Sequence, residues 1–464
     1  MSTTAMSGVT SSGQPVLILK EGASKTKGRD AQKNNIMAAK IVAELVKSSL
    51  GPRGMDKMLV GGLGDVTITN DGATILKNLD VQHPAAKAMV EISKATDNEV
   101  GDGTTSAVVL AGALLERAEE LMDKDVHPMV IVDGYMKALE KARAILKTVA
   151  IKVGPRDRDW LVKVAKTSMD TKMVSSEGEF MASLVVDGLL SVAEDYDGKI
   201  RVDIDNVKVE KKAGGSTRDS QLINGVALDK EVVHSGMPKS VSEAKIALLN
   251  LPLEIEKTKY DAKININNPE QIKMFLDEEN EMLKGMVDKV VKSGANVLIC
   301  QKGLDDIAMH YLAKAGILSV RRASETEMRM LARATDGKVI QTIEDLNPDH
   351  LGYAKHVEER KIESSKWLFI EGCKNPKSVT LFIRGGTQRV VEESERSIHD
   401  ALSVVKDVMM EPSIVLGAGA PEAEVASKLF EFAQTLSGRV QLAVQKFAEA
   451  MEVIPLTLAE NAGM

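Results

Sequence analysis

A chain of 464 residues with 44% hydrophobic and 27% charged residues has an ordinary globular composition and room for two or three domains, each able to bury a core. A formal net charge of -7, with no basic strip interleaved with aromatics, excludes a general nucleic-acid binder, and two cysteines, Cys300 and Cys373, are too few for a disulfide scaffold and lack metal-ligand spacing. The polar N-terminus and the lack of an apolar run of bilayer length argue against a secreted or membrane protein and for a reducing, cytoplasmic setting. In chain order, the first signal is Val16–Leu19, a short apolar strand. From Ala31 to Ser49, the apolar residues Ile36, Ala39, Ile41, Val42, Leu45 and Val46 recur at helical spacing and stop at Gly51-Pro52. Leu50-Gly51-Pro52-Arg53-Gly54 is a rigid break. Asp65 to Thr69 is a β-branched strand closed by Asn70-Asp71-Gly72, a turn that puts Asp71 at a bend before a helix over Ala73–Leu79.

Gly101-Asp102-Gly103-Thr104-Thr105-Ser106 stands directly before Ala107-Val108-Val109-Leu110 and reads as an anion site opening a helix that runs to about Asp123. Two glycines let the backbone turn tightly and lie close to a ligand, while the N–H groups of the first turn, with the helix dipole behind them, face a phosphate. Asp102 would repel a bare phosphate, so its chemistry suits a Mg²⁺ ligand that bridges to the phosphates. The same six residues fit a capped helix after a turn equally well.

A further helix spans Pro128 to about Val149, and Gly154-Pro155-Arg156-Asp157 marks the first break in composition. Trp160–Thr167 and Glu179–Ala193 read as helices on either side of a polar stretch that reaches Lys172. The middle changes character. Asn206–Glu210 alternates as a strand, Ala244–Leu249 reads as a buried strand, and from Ser293 strands at Asn296–Cys300, Ile317–Val320 and Val339-Ile340 alternate with helices at Leu304–Ala313 and Glu325–Ala334. The second of these helices opens with the capping box Ser324-Glu325-Thr326-Glu327. This is an α/β module with a parallel sheet component. Ser378–Arg384 is then a strand and Gln388–Met409 a long helix. Gly417-Ala418-Gly419-Ala420-Pro421-Glu422 precedes helices through Ala433 and from Gln441 to Ala450. Helical ends around an α/β middle imply a chain that leaves a base domain, builds outward and returns. With aromatics at 3%, the cores rest on Leu, Ile, Val, Ala and the 23 methionines, most of which are expected at helical core positions. The seven histidines form no ligand pair at helical spacing.

The runs Ser48-Ser49-Leu50-Gly51-Pro52-Arg53-Gly54-Met55-Asp56-Lys57-Met58-Leu59 and Thr69-Asn70-Asp71-Gly72-Ala73-Thr74-Ile75-Leu76, together with Val100–Thr105, Gln301-Lys302-Gly303 and Leu458–Gly463, resemble the group II chaperonins of archaea and extend over nearly the whole chain. The resemblance implies a multidomain α and α/β chaperonin fold. It comprises a mostly helical equatorial domain (1–152 and 415–464), an α+β intermediate domain (153–222 and 374–414) and an α/β apical domain (223–373) with a helical protrusion at about 254–282. It also implies an ATP-hydrolysing subunit of a double ring, built with identical or paralogous subunits, that encloses non-native polypeptides. Nucleotide contacts are expected from Leu50, Gly51, Pro52, Asp71, Gly72, Gly103, Thr104, Thr105, Ser106, Gly417, Ala418 and Gly419, and Mg²⁺ ligation from Asp102. Lys172 would sense the terminal phosphate, and Asp400, within Ser394–Leu402, would position or activate the attacking water as the intermediate domain swings onto the nucleotide. Without the resemblance, Arg396 and Asp400, four apart on one helix, read as an exposed ion pair.

Two departures stand out. Gly417-Ala418-Gly419 carries a methyl group where the family has a third glycine, so nucleotide affinity is expected to suffer if Ala418 needs a positive φ or lies against the ligand. The family also continues beyond Asn461-Ala462-Gly463, so apolar faces around Leu429, Phe430, Leu442, Phe447 and Ile454 are expected to be partly uncovered, with poor assembly and weak ATP hydrolysis as consequences. In the expected lid, Pro269 starts a short amphipathic helix over Glu270–Leu276 after a polar turn at Asn265–Asn268. The alternatives are a Mg-ATP-dependent small-molecule phosphotransferase, for which no acceptor-binding set is evident, and a non-cycling holdase.

Overall fold

The structure, a computed structural model, describes residues 7–9, 15–17, 26–62, 64–170, 177–255, 269–373 and 377–464. The chain forms two compact units, Met1–Ile151 with Ile414–Met464, and Lys152–Ser413. It therefore leaves the first unit once and returns to it once.

The first unit is helical. Gly28–Lys47, Pro84–Glu99, Thr104–Asp123 and Pro128–Val149 pack with the returning helices Ala420–Gln434, Gly438–Met451 and Val453–Asn461. Small residues set the crossings: a Cβ at Gly112 would lie 2.3 Å from Ala43 Cβ, and one at Gly134 would lie 2.4 Å from Ala443 Cβ. The backbones therefore approach as closely as the glycines allow, and a single methyl group at either position would force the helices apart. One apolar cluster gathers Val42, Val46 and Leu50 with Ile75, Leu76, Val108, Val109 and Ile454. A second joins Ala138 and Ile145 to Val425, Leu429, Val444 and Phe447. Leu429, Phe447 and Ile454 are buried and Phe430 is half-buried, so of the faces expected to be uncovered only Leu442, 43% exposed, is open. Helix Gly72–Lys77 and two antiparallel strand pairs, Ser7–Val9 with Pro15–Leu17 and Lys57–Val60 with Val66–Thr69, are also part of the unit.

Among the described residues the second unit holds two larger sheets and a small antiparallel pair, Glu194–Tyr196 with Lys199–Arg201. A three-stranded sheet runs in the order Val207–Ala213, Val379–Gly385, Gln221–Ile223, the first pair parallel and the second antiparallel. Helices Arg158–Met169, Gly178–Val192 and Gln388–Met410 pack with one another around it. The larger sheet is mixed. Ser240–Leu249 pairs in parallel with Val297–Cys300, which pairs in parallel with Leu318–Val320, while its other edge takes Gly352–Ile362 antiparallel and Val339-Ile340 parallel. Ser365–Glu371 and Gly225–Leu228 extend the antiparallel side. Successive residues of the central strands enter opposite cores. Ile246, Leu248, Val297 and Ile299 face Met328 and Leu331 of helix Glu325–Thr335, whereas Ala247, Leu249, Leu298 and Cys300 face Leu283, Val287 and Leu312. Both faces are covered, which is why these strands read as continuous apolar runs.

Three expectations need correction. The methionines divide, with Met89, Met122, Met169, Met181 and Met328 buried but Met37, Met55, Met58, Met129 and Met136 exposed. The short helix expected over Glu270–Leu276 is instead the start of a helix spanning Pro269–Lys292. Its second half buries Leu283, Val287 and Val290, and that packing sustains the helix, while Met274, Phe275 and Leu276 stay exposed. Asn265–Asn268 lies outside the described residues. Asp400 is buried at 9% exposure, and Arg396 lies 3.2 Å from Glu393, so the reading of Asp400 as an exposed surface acid fails.

Candidate functional site

Asp71 is the N-cap of helix Gly72–Lys77, its Oδ2 accepting from the Thr74 N–H at 2.8 Å. Its own backbone N–H donates to Thr69 Oγ1 at 3.1 Å, which fixes the main chain of the turn. The other carboxylate oxygen, Oδ1, accepts from Thr104 Oγ1 at 3.4 Å, and Thr104 is the first residue of helix Thr104–Asp123. The Asp71-Gly72 turn and the glycine loop thus meet. Gly72 makes the approach possible: a Cβ there would lie 2.4 Å from Thr105 Oγ1 and 2.9 Å from Thr105 N.

The glycine loop takes the form its sequence requires. Gly101 has φ +77° and Gly103, the N-cap, has φ +75°, both in the left-handed region that favours glycine. No side chain caps this helix, and a Cβ on Gly103 would meet nothing within 4 Å, so the loop opens onto free space at the N-terminus. Gly103 serves as the N-cap through its backbone alone. Asp102 is half-buried, and its Oδ1 accepts from the Gly103 N–H at 2.7 Å. Ser106 lies half-buried in the first turn.

Leu50-Gly51-Pro52 ends the first helix and is held by the last one. Asn461 Nδ2 donates to the carbonyls of Lys47 (3.1 Å) and Leu50 (2.9 Å). Gly51 has φ +86°, and a Cβ there would lie 2.3 Å from Leu458 Cδ2. Helix Val453–Asn461 also supports the third loop, since a Cβ on Gly419 would lie within 2.8 to 3.0 Å of the Pro455 ring. Gly417 and Ala418 are exposed, and Ala418 sits at φ +60°. The condition attached to that alanine, a positive φ, is met.

Leu50, Ile75, Val108 and Ile454 belong to one apolar cluster, so Leu50–Pro52, Asp71-Gly72 and Gly103–Ser106 stand on a shared core, and 417–419 joins them through helix Val453–Asn461. Sequence reasoning picked out Leu458–Gly463 only as part of the resemblance and gave Pro455, Leu458 and the Asn461 amide of that helix no role in holding the loops. Its apolar residues run around the whole circumference and carry no helical period. Asp400 belongs to the other unit, on helix Gln388–Met410, where Ser394, Ser397 and Ser403 are also buried and donate to the carbonyls of Val390 (2.7 Å), Glu393 (2.9 Å) and His399 (3.0 Å). Lys172 lies outside the described residues.

The donor chemistry near the glycine loop is all oxygen, from the Asp71 and Asp102 carboxylates and the threonine hydroxyls. Among the described residues no group of three or more His, Cys, Asp or Glu could hold a metal. A cation here would take most of its coordination from water and phosphate, which is the habit of Mg²⁺. His83 and His127 instead cap helices, their Nδ1 atoms accepting from the N–H groups of Ala85 and Met129 at 3.2 Å. Burial pushes the Cys300 and Cys373 thiols up to about 11, so neither is a nucleophile at neutral pH. Among the described residues no helix is long and apolar enough to cross a membrane.

The profile of the TCP-1/cpn60 chaperonin family matches residues 42–464. The chain is 55% identical to a thermosome subunit of Pyrococcus horikoshii over 452 residues, 97% of this chain and 82% of that protein. It is 54% identical to the thermosome subunit beta of Thermococcus kodakarensis and 53% identical to a thermosome subunit of Methanopyrus kandleri, each across 97% of this chain and 83% of the relative.

Proposed function

The chain belongs to the TCP-1/cpn60 chaperonin family, and we propose from this that it is an ATP-dependent group II chaperonin subunit that binds non-native polypeptides and encloses them in a ring. The observation that carries the site assignment is the meeting of Asp71 and Thr104 beside a helix N-terminus that no side chain caps. Backbone N–H groups of Thr104 and Thr105 and the dipole of a 20-residue helix hold phosphate oxygens, with Gly103 letting the backbone come close. Leu50, Gly51 and Pro52 give the base an apolar edge, and 417–419 closes the pocket from the returning segment. Asp102 holds Mg²⁺, which supplies charge neutralisation at the phosphates. Asp400 positions or activates the attacking water, and Lys172 reads the terminal phosphate.

In the same reading, residues 1–152 and 415–464 form the equatorial domain, 153–222 and 374–414 the intermediate domain, and 223–373 the apical domain, with the lid at about 254–282. Identical or paralogous subunits complete the ring, as the word subunit in the relatives' names supports. The alternative of a small-molecule phosphotransferase is separated by size, since a ring elutes near the megadalton range and a kinase of this length as a monomer or dimer. The roles of the acids are separated by kinetics. Asp102→Ala weakens Mg·ATP binding, whereas Asp400→Ala leaves binding nearly intact and slows hydrolysis by about 10²-fold or more. Equal loss of binding in both variants would overturn the division of labour, and a small phosphate-transferring species would overturn the chaperonin assignment.

A further inference from the structure

One ammonium in the second unit joins its three-stranded sheet to its larger mixed sheet. Lys208 and Glu210 stand two apart on strand Val207–Ala213 and share a face of the three-stranded sheet. Lys208 Nζ lies 2.6 Å from Glu210 Oε1 and 3.5 Å from Glu327 Oε1, and donates to the Ala227 carbonyl at 3.4 Å. Ala227 lies in strand Gly225–Leu228 of the larger sheet, and Glu327 in the first turn of helix Glu325–Thr335, which packs on that sheet. The side chains of Lys208, Glu210 and Glu327 are only 16%, 20% and 12% exposed, so water screens this triad little.

Glu327 is also fixed from behind. Its Oε2 accepts from the Ser324 N–H at 2.7 Å as half of a capping box. Burial pushes this carboxyl up, but the bond from Ser324 and the Lys208 charge outweigh it and hold the group below its ordinary value. Around the triad the joint is closely packed. Ala227 N–H donates to Thr380 Oγ1 at 3.2 Å, and that hydroxyl donates to the Gly225 carbonyl at 3.2 Å. Phe382 of the smaller sheet meets Trp367 and Phe369 of the larger at ring-centroid distances of 5.1 and 5.7 Å. Lys212 Nζ donates to Ser365 Oγ at 2.6 Å on the same side.

We propose that Lys208 is a positioning residue that latches the three-stranded sheet and the larger sheet into one lever, so that helix Glu325–Thr335 turns with the three-stranded sheet. In its consequence for chamber closure, this rests on the chaperonin reading. The neutral contacts give the joint its stability, while the triad sets its angle, because an ammonium shared by Glu210 and Glu327 is satisfied only while strand and helix keep one spacing.

The test uses the full chain with Lys208→Met, Glu327→Gln and the double variant. Gln at 327 keeps a cap acceptor for Ser324 and leaves Lys208 on Glu210, so it removes only the charge that spans the joint. Hydrogen exchange of the Ala227 amide, followed without nucleotide, is expected to quicken at least about tenfold in each single variant, with Glu327→Gln adding little to Lys208→Met. In the ring, both single variants are expected to keep wild-type ATP turnover and lose the nucleotide-dependent protection of the chamber against protease. Unchanged exchange, or effects that simply add in the double variant, would refute the latch. Wild-type protection in both variants would refute its role in closure. Quickened exchange in a wild-type background that never shows nucleotide-dependent protection would uphold the latch and overturn the chaperonin reading.

Discussion

Replacing Ala418 with glycine tests whether the loop before helix Ala420–Gln434 carries strain that a glycine there would avoid. Ala418 holds φ +60°, and an L-residue in the left-handed region loses about 1–2 kcal/mol relative to glycine. Glycine gives back about 0.4–1 kcal/mol through the greater freedom of the unfolded chain. The net expectation for Ala418→Gly is a gain of about 0.5–1 kcal/mol, seen as a rise of about 1–3 °C in the melting temperature of a unit this size. Binding of Mg·ATP is expected to tighten severalfold, as the methyl group leaves the edge of the pocket. Its neighbours are internal controls. Gly417 has no positive φ and open space around its Cβ position, so Gly417→Ala is expected to be nearly neutral. Gly419 combines φ +76° with a Cβ position 2.8 Å from Pro455 Cβ, so Gly419→Ala is expected to lose roughly 2–4 kcal/mol from strain and overpacking together. Calorimetric melts and nucleotide titrations of the three variants provide the measurement. Equal effects at 417 and 419, or a melting temperature that falls in Ala418→Gly, would refute the backbone argument.

Asp71→Asn keeps an acceptor for the Thr74 N–H and should preserve stability while weakening Mg·ATP, whereas Asp71→Ala should also lose about 1 kcal/mol of capping; equal melts for both variants would show that the cap contributes nothing. Cys300 and Cys373, held near 11 by burial, should resist a thiol reagent at pH 8 until the chain unfolds, and rapid native labelling of either would contradict their burial. The same raised values make these thiols pH-neutral for stability below about 9, their ordinary value, with stability lost as pH climbs from there through about 11, which alkaline melts would follow. Lys446 lies 2.7 Å from Glu120 and 2.5 Å from Glu449, linking helices Thr104–Asp123 and Gly438–Met451, so a double-mutant cycle of Lys446→Met with Glu120→Gln should return about 1 kcal/mol of coupling that persists on heating; zero coupling would mark the network as incidental.

Where one residue type dictates a local conformation, the sequence was legible. Gly101 and Gly103 adopt the positive φ that their loop demands, Asp71 caps the helix it was placed before, and the Ser324–Glu327 box forms with both of its hydrogen bonds. The buried parallel strands were visible because both of their faces are apolar. The hairpin Gly352–Ile362 with Ser365–Glu371 was not, since His356, Glu358, Glu359, Arg360 and Lys361 carry no alternation. Its register sets Arg360 opposite Trp367 and His356 opposite Glu371, and the bonds that Arg360 makes across the strands to Glu371, at 2.9 and 2.7 Å, exist only after the strands meet. Helix Pro84–Glu99 could have been found, with Pro84 at its first position and Ala86, Met89, Val90 and Ser93 on one buried face. At the site, the loops were legible and their support was not, because Asn461 holds Leu50 from 411 positions away in the chain.

That support changes what the glycines mean. Gly51, Gly72 and Gly419 each face a partner that a Cβ would strike: Leu458, Thr105 and Pro455. Gly103 and Gly417 face nothing within 4 Å. A glycine-rich motif therefore contains two physical populations here, one that lets loop pack on loop and one that leaves backbone open for a ligand. Loss of nucleotide affinity after substitution at Gly72 would then follow from displacement of Thr105, without Gly72 touching the nucleotide at all. Gly103 is the position where the backbone itself faces open space, and the uncapped first turn of helix Thr104–Asp123 begins there. In the proposed reading, phosphate recognition rests on that one helix end, held at its angle by contacts that reach from Asp71 on one side and, through Ile454 in the shared core, from the returning helix on the other.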